Sequence, residues 1–329
     1  MQKTLPPLII LASLLVPALQ ATPAHALPPT KVWISGNGSD GSVGCPANAP
    51  CATLNHAFSV VAAGGEIAVA GPGEFGSLLV TKAVSISNDG AGEALIQSNS
   101  TAIDILANPG DILTLRGLVI DGMGVGLNGV RLDGALTALH MQNCVIKNFE
   151  GSGNQFGTWA INYAPSVTSH IFISDTLIYN NGSTANTGGI LIEGQGGNGV
   201  TAVLDRVHIE NNVLGLKVDN QFSTGFGSTV VVRDSVLTGN ASNAITASVP
   251  SGLPGALLLV ERATIVSNAG TGILASGVHA NVLLSDSTIS RNGTGVSAVG
   301  GGQLISYGNN RNNNNFGAEG TATSTFAPF

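Results

Sequence analysis

One phrase recurs seven times along this chain, and it constrains the fold more than any single residue does. It consists of apolar residues at alternate positions, a charged or small polar pair, an apolar pair, and in most copies a following Asn. It reads LTLRGLVI from Leu113, LHMQNCVI from Leu139, IFISDTLI from Ile171 and AVLDRVHI from Ala202. It returns as VVVRDSVL from Val230, LLVERATI from Leu258 and VLLSDSTI from Val282. The last apolar residues, Ile120, Ile146, Ile178, Ile209, Leu237, Ile265 and Ile289, are separated by 26, 32, 31, 28, 28 and 24 residues. Such a period means one small unit stacked on copies of itself. No unit that size buries its own apolar face, so its neighbours must cover it.

Each unit carries three short strands. Strand A is the first half of the phrase, and strand B ends on the apolar anchor. Strand C is a Gly- or Ala-led run: GVRL from Gly129, AINY from Ala160, GILI from Gly189, GLKV from Gly215, AITA from Ala244, GILA from Gly272 and GVSA from Gly295. The turns between them are too short for crossover helices. The predicted fold is all-β, a right-handed parallel β-helix whose coils rise by about 4.8 Å. A leucine-rich horseshoe would need one strand per repeat and its Asn at another offset. The Asn three residues after the anchor (Asn181, Asn212, Asn240, Asn268, Asn292) is expected to take a left-handed turn and to hydrogen-bond from coil to coil. Met123 and Phe149 hold this place in the first two coils, so the ladder should begin at Asn181.

Four stretches follow along the chain. Residues 1–26 have one charge, Lys3, an apolar run from Leu8 to Leu19, and a small-x-small ending at Ala24-His25-Ala26, which reads as an export signal cut after Ala26. Residues 27–65 hold a short VWI strand and a helix expected between Cys51 and Ala63, with Thr53 as N-cap and Gly64-Gly65 as its stop. This element would cap the open end of the stack. The β-helix is expected over 66–313, beginning with strands at Glu66–Val69, Leu78–Val80, Val84–Ser87, Ala94–Ile96 and Ile103–Leu106. A loosely held tail is expected over 314–329.

The predicted location is outside the cytoplasm: secreted, periplasmic or at the cell surface. Cys45 and Cys51, in GCPANAPC, are expected to form a disulfide there rather than to bind a metal. Cys144 shares the parity of Ile146 and should be a buried, inert thiol. The formal charge is −7 with 9% charged residues, and removing Lys3 with the signal leaves the chain still more acidic. That balance excludes a nucleic-acid binder, which needs basic patches. The run at 8–19 is too short to span a membrane, and no other segment is long enough.

These features resemble the pectin-lyase-like right-handed β-helix superfamily, and in particular secreted bacterial β-helix repeat proteins. The resemblance rests on GSD at Gly38–Asp40, APCATLNHAF at Ala49–Phe58, AGGEIAV at Ala63–Val69 and the coil phrases, and it covers roughly residues 31–313. It implies the fold. Pectate lyases of the superfamily would bring calcium-binding acids and a catalytic Arg or Lys on one sheet. Its polygalacturonase-type hydrolases would bring clustered Asp and a Gly-His-Gly. Neither set is present, so no catalytic residue is carried over.

Most charges belong to the scaffold. The pair before strand B includes Asp205, Arg233 and Glu261 in one column and Asp175, Arg206, Asp234, Arg262 and Asp286 in the next, with alternating sign. Stacked coils would turn these columns into ion-pair ladders. Strand C is less regular. Glu193 and Asp219 lie one coil apart near Lys217, where two carboxylates could bind calcium or act as an acid/base pair, and Lys217 could neutralise a uronate. Aromatics cluster in the two longest Gly-rich stretches, and Phe156, Trp159 and Phe226 are the candidates for sugar contact. Tyr163 has inward parity and should be core. His56, His140, His170, His208 and His279 show no metal-ligand spacing.

The outward column of strand A (Thr114, His140, Phe172, Val203, Val231, Leu259, Leu283) is too apolar to face water uncovered. A loop, the tail or another chain is expected to cover it, and a homo-oligomer through Phe172, Val203, Val231, Leu259 and Leu283 is one such solution. Two functions follow: a structural or glycan-binding scaffold, which the low charge and missing motifs favour, and a lyase or hydrolase acting on an acidic polysaccharide.

Overall fold

The computed structural model describes residues 27–152 and 157–326. The predicted signal at 1–26 and candidate Phe156 lie outside the described residues. The rest winds into a parallel β-solenoid with three sheets running its length. Sheet A has 12 strands, sheet B 10 and sheet C 9. Every strand pairing among the described residues is parallel and joins one coil to the next. The anchors stack in unbroken register through sheet B, Ile120 on Ile146 on Ile178 on Ile209 on Leu237 on Ile265 on Ile289. All are fully buried. One continuous apolar column down the axis therefore does what no single coil can.

The Asn column forms the ladder that the spacing predicts. Asn181 Nδ2 donates to Asn212 Oδ1 at 2.9 Å, Asn240 Nδ2 to Asn268 Oδ1 at 2.8 Å, and Asn268 Nδ2 to Asn292 Oδ1 at 2.8 Å. Each Oδ1 also accepts the backbone N–H of the coil before it, as Asn240 does from Asn212 at 3.0 Å. The ladder begins at Asn181, as the spacing predicts, with Asn181 Oδ1 accepting from Phe149 N–H, and it runs one coil beyond the expectation at the far end, where Asn292 donates to Asn315. The left-handed residue is not the ladder Asn. It comes one position earlier, at Asn180 (φ 55), Asn211 (φ 54), Gly239 (φ 66) and Ser267 (φ 58). The turn bends on that residue, and the buried Asn then ties it to the next coil.

The charged columns form clusters rather than one continuous ladder. Arg206 reaches both Asp175 at 2.7 Å and Asp205 at 2.6 Å, and Arg233 also holds Asp205. Arg262 pairs with Asp234 at 2.7 Å. The Arg206 and Arg262 guanidiniums hold the carboxyls of Asp175 and Asp234 below the usual range. Asp175, Arg206, Asp234, Arg262 and Asp286 all have φ between 46 and 53, so the A–B bend itself sits in the left-handed region. Such exposed pairs stabilise little individually, but they fix register.

At the N-terminal end, Lys31–Ile34 extends sheet A and the helix Leu54–Val60 covers the first coil. Thr53 caps the helix by accepting from His56 N–H at 3.2 Å, and Lys82 lies over the Phe58 ring. The helix ends sooner than its apolar spacing suggests, because Val61 is already extended. Cys45 and Cys51 form the disulfide. His56 lies near both sulfurs, but paired cysteines offer no thiolate to a metal. Cys144 is buried, and burial pushes its thiol up to about 11, which leaves it inert. At the far end, pairing continues past residue 313. Ser324–Thr325 adds to sheet A beside Ile305–Ser306, so residues 314–326 belong to the stack.

On the outside of sheet A, the apolar column is continuous and ends one coil later than expected, at Ile305. Phe172 is 36% exposed and stacks on His140, ring centroids 4.8 Å apart.

The ladder sets a stability test. Replacing Asn240 by Ala leaves the buried backbone N–H of Asn212 without its acceptor, while the Asn212 side-chain amide keeps the carbonyls of Ile178 and Glu210, and it removes the bond that Asn240 itself donates to Asn268. Each orphaned buried group costs about 1–3 kcal/mol, so Asn240→Ala should lower the urea-unfolding free energy by a few kcal/mol. Removing the exposed charge of Asp286 by Asp286→Asn should change it by less than about 0.5 kcal/mol.

Candidate functional site

Sheet C departs most from the repeat, and its outer face holds the candidate site. In most coils its strand has four to six residues, but Gly188–Gly196 has 9 and Leu214–Ser223 has 10. A register shift between Glu193 and Gln195 marks where the extension begins. Side-chain bonds hold the extra chain in place. Asn220 Nδ2 donates to the carbonyl of Gly255 at 2.7 Å, Ser223 to that of Phe226 at 2.6 Å, and Asn198 to that of Ser166 at 2.8 Å. These extensions raise one wall beside the sheet. Gly157, Thr184, Asn186 and Thr187, from the turns that enter sheet C, form the other.

Between the walls lies a groove of about 850 Å³. Its floor and sides include Arg131, Asn162, Trp159, Leu191, Glu193 and Lys217, and Gln195, Gln221 and Phe222 line its extended wall. A second hollow of about 500 Å³ continues along the same sheet toward the capped end and shares Arg131.

The strand-C candidates come together here. Glu193 pairs in register with Asp219, and Leu191 with Lys217, on adjacent strands. Lys217 Nζ lies 2.7 Å from Asp219 Oδ2, and the backbone N–H of Gln221 donates to Asp219 Oδ1 at 3.1 Å. Both Asp219 oxygens are thus engaged and its side chain is buried. Glu193 is only 7% exposed yet makes no ion pair among the described residues. Burial first, and then the nearby Asp219 carboxylate, raise its pKa to about 7, with Lys217 opposing. A buried carboxyl with such a pKa on a groove floor is poised to give or take a proton near neutrality. The set does not suit calcium. Asp219 has already given its oxygens to an ammonium and an amide, and calcium needs several open oxygen ligands.

The aromatic candidates separate. Trp159 lies in the strand Trp159–Tyr163, not in a loop. At 1% exposure it packs with Leu191 and Leu214 as an apolar floor. Phe226 is 72% exposed and does not line the groove. The open aromatic at the groove is Phe222, at 56%. Tyr163 is core, and its hydroxyl donates to the carbonyl of His170 at 2.7 Å. Sequence reasoning missed the groove roles of Arg131, Asn162, Gln195 and Gln221. Of these, Arg131 is held by Asp104 through two hydrogen bonds, at 3.0 and 3.3 Å.

The sequence matches no protein-family model and no curated protein. The fold does have solved counterparts. Pectate lyase Pel9A superposes with a TM-score of 0.59 at 14% identity, over 91% of this chain and 78% of that one. The architecture is the pectate-lyase-like right-handed parallel β-helix. The A-module of mannuronan C-5 epimerase AlgE4 from Azotobacter vinelandii aligns over 81% of this chain and 89% of that one, with a TM-score of 0.42 and 14% identity. At these identities the likeness is one of fold.

The raised pKa of Glu193 makes stability depend on pH. The folded chain holds this proton more tightly than the unfolded chain, whose glutamate titrates near 4.5. The stabilisation is therefore complete below about pH 4.5 and is lost as pH rises through about 7. Between pH 5 and 8 the melting temperature of the wild type should fall more than that of Glu193→Gln. Parallel curves for the two proteins would contradict the raised pKa.

Proposed function

We propose that this is an exported, polysaccharide-acting protein that holds a glycan along the groove of sheet C and uses Glu193 for proton transfer. The observation that carries this reading is the placement of Glu193: its carboxyl is buried on the groove floor, beside an Asp219–Lys217 pair that keeps it from being ion-paired itself. Amide groups of Asn162, Gln195 and Gln221 suit sugar hydroxyls, and Phe222 offers a face for sugar C–H groups. The fold shared with a pectate lyase supports a polysaccharide as the ligand. The Cys45–Cys51 disulfide and the signal-like residues 1–26 support export. No described helix is long and apolar enough to cross a membrane. A glycan-binding scaffold would need the same groove, and the buried, unpaired Glu193 on its floor is the feature that points to chemistry as well as binding.

A second copy of the chain is the proposed cover for the apolar column of sheet A. The neighbouring row Asp205, Arg233, Glu261 alternates in sign, so two antiparallel copies can set acid against base. Light scattering should give more than one chain per particle, and Val231→Lys should give a monomer. A monomeric native protein would rule this out.

A glycan-array screen of the full chain, with and without a chelator, tests the groove. Binding to at least one polysaccharide is expected in both conditions. Phe222→Ala should weaken it about 2- to 10-fold, the scale of one aromatic contact. A chain that binds no glycan would sink the reading.

A further inference from the structure

Three successive outward positions of sheet C define a pair that the repeat hides. Leu132, Tyr163 and Ile192 pair in register across three neighbouring strands. The residues that follow them, Asp133, Ala164 and Glu193, therefore form one column on the groove side. Asp133 and Glu193 both line the groove. Their Cα atoms are two strand spacings apart, about 9.6 Å, and between them Ala164 presents only a methyl group. Asp133 is exposed and makes no ion pair or hydrogen bond among the described residues. Asp219, one strand beyond Glu193, is nearer but has no oxygen to spare.

We propose that Asp133 and Glu193 are the base and the acid of an inverting hydrolysis of an uncharged glycan. This rests on the glycan groove argued above. Cα atoms at that spacing put parallel side chains at the wide end of the roughly 6.5–9.5 Å between carboxyls that leaves room for a water on the far face of the sugar, whereas a covalent mechanism needs about 5–5.5 Å. Among the described residues the acid one strand spacing from Glu193 is Asp219, which is blocked. Asp133 removes a proton from the water as its oxygen bonds to the anomeric carbon. The glycosidic C–O bond breaks, and Glu193 gives its proton to the leaving oxygen. Asp133 ends protonated and Glu193 ionised, and exchange with solvent restores both. No cofactor or redox partner enters the balance.

The groove's charges specify the sugar. Its two cations are already engaged, Arg131 by Asp104 and Lys217 by Asp219. Neither is free to meet the carboxylate of a uronate. With those two pairs neutralised and Glu193 holding its proton, the unpaired charge left among the groove's described residues is the Asp133 carboxylate, which would repel one. This reverses the expectation of an acidic substrate that Lys217 raises when the sequence is read alone.

The test incubates the full chain with soluble β-glucan, mannan, galactan, xylan and arabinan, and with polygalacturonate and polymannuronate. New reducing ends, the anomer first released (by proton NMR) and the absorbance of unsaturated uronides are followed. Cleavage of a neutral polymer with inversion is expected, without cleavage of either uronan. Asp133→Asn and Glu193→Gln should each lower kcat about 100-fold or more, with glycan binding retained and folding checked by circular dichroism. Retention of configuration, preferential cleavage of a uronan, or an Asp133→Asn variant as active as the wild type would each overturn the assignment. A neutral glycan that binds in the groove but is never cleaved would overturn it and leave the binding groove standing. Binding of no glycan at all would remove both.

Discussion

Everything in this protein depends on parallel pairing between one coil and the next. Each strand finds its hydrogen-bonding partners a whole coil away in sequence, so every residue sits above and below its counterpart. A property needed at one position is then needed in a column. Ile stacks on Ile through sheet B, Asn on Asn at the following turn, and Asp beside Arg at the A–B bend. Buried amides are stable here because each is the partner of the next, from Asn181 to Asn315. A polar group that would be expensive to bury singly becomes stabilising in a stack.

The same rule explains why the site is irregular. A groove cannot be built from identical columns, because stacking yields a flat face. It needs walls, and walls need chain beyond what closes a coil. The longest steps between anchors, 32 and 31 residues, contain the entry turns at Gly157 and Thr184–Thr187 and the overlong strand Gly188–Gly196. Where the step returns to 28, the strand Leu214–Ser223 still borrows length, and Asn220 and Ser223 tie the excess down. Coil length thus measures how far a turn has been adapted away from scaffold.

Most of the fold was legible in the sequence because columns repeat, and a repeated signal is averaged over seven copies. The three strands, the Asn ladder and the Cys45–Cys51 bridge all came from such regularities or from spacing. Details confined to one coil were harder. The left-handed residue at Asn180 and Asn211 is displaced by one from the Asn that carries the ladder, since alternation cannot say which of two adjacent Asn residues bends. Trp159 read as a loop aromatic because the long stretch before it blurs the strand boundary. Glu193 and Asp219 were recognisable as neighbours, but not the pairing of Lys217 with Asp219, which depends on side-chain reach. Asp133 could have been found by aligning the positions after Leu132, Tyr163 and Ile192, which requires trusting the register across the longest insertion.

That insertion also explains how an exposed sheet face can hold a buried acid. The outer surface of a β-helix is normally wet, and a carboxyl there would titrate as it does in water. The extended strands beyond Glu193 and Asp219 exclude solvent from one side, the floor of Trp159, Leu191 and Leu214 from another, and the Asp219 carboxylate is a negative neighbour that Lys217 only partly offsets. Desolvation and that neighbour both favour the protonated form of Glu193. The proton-transfer group is therefore made by loop length and not by the repeat. A relative with the same coils but shorter strands at these two positions would keep the scaffold, expose the carboxyl and lose its near-neutral pKa.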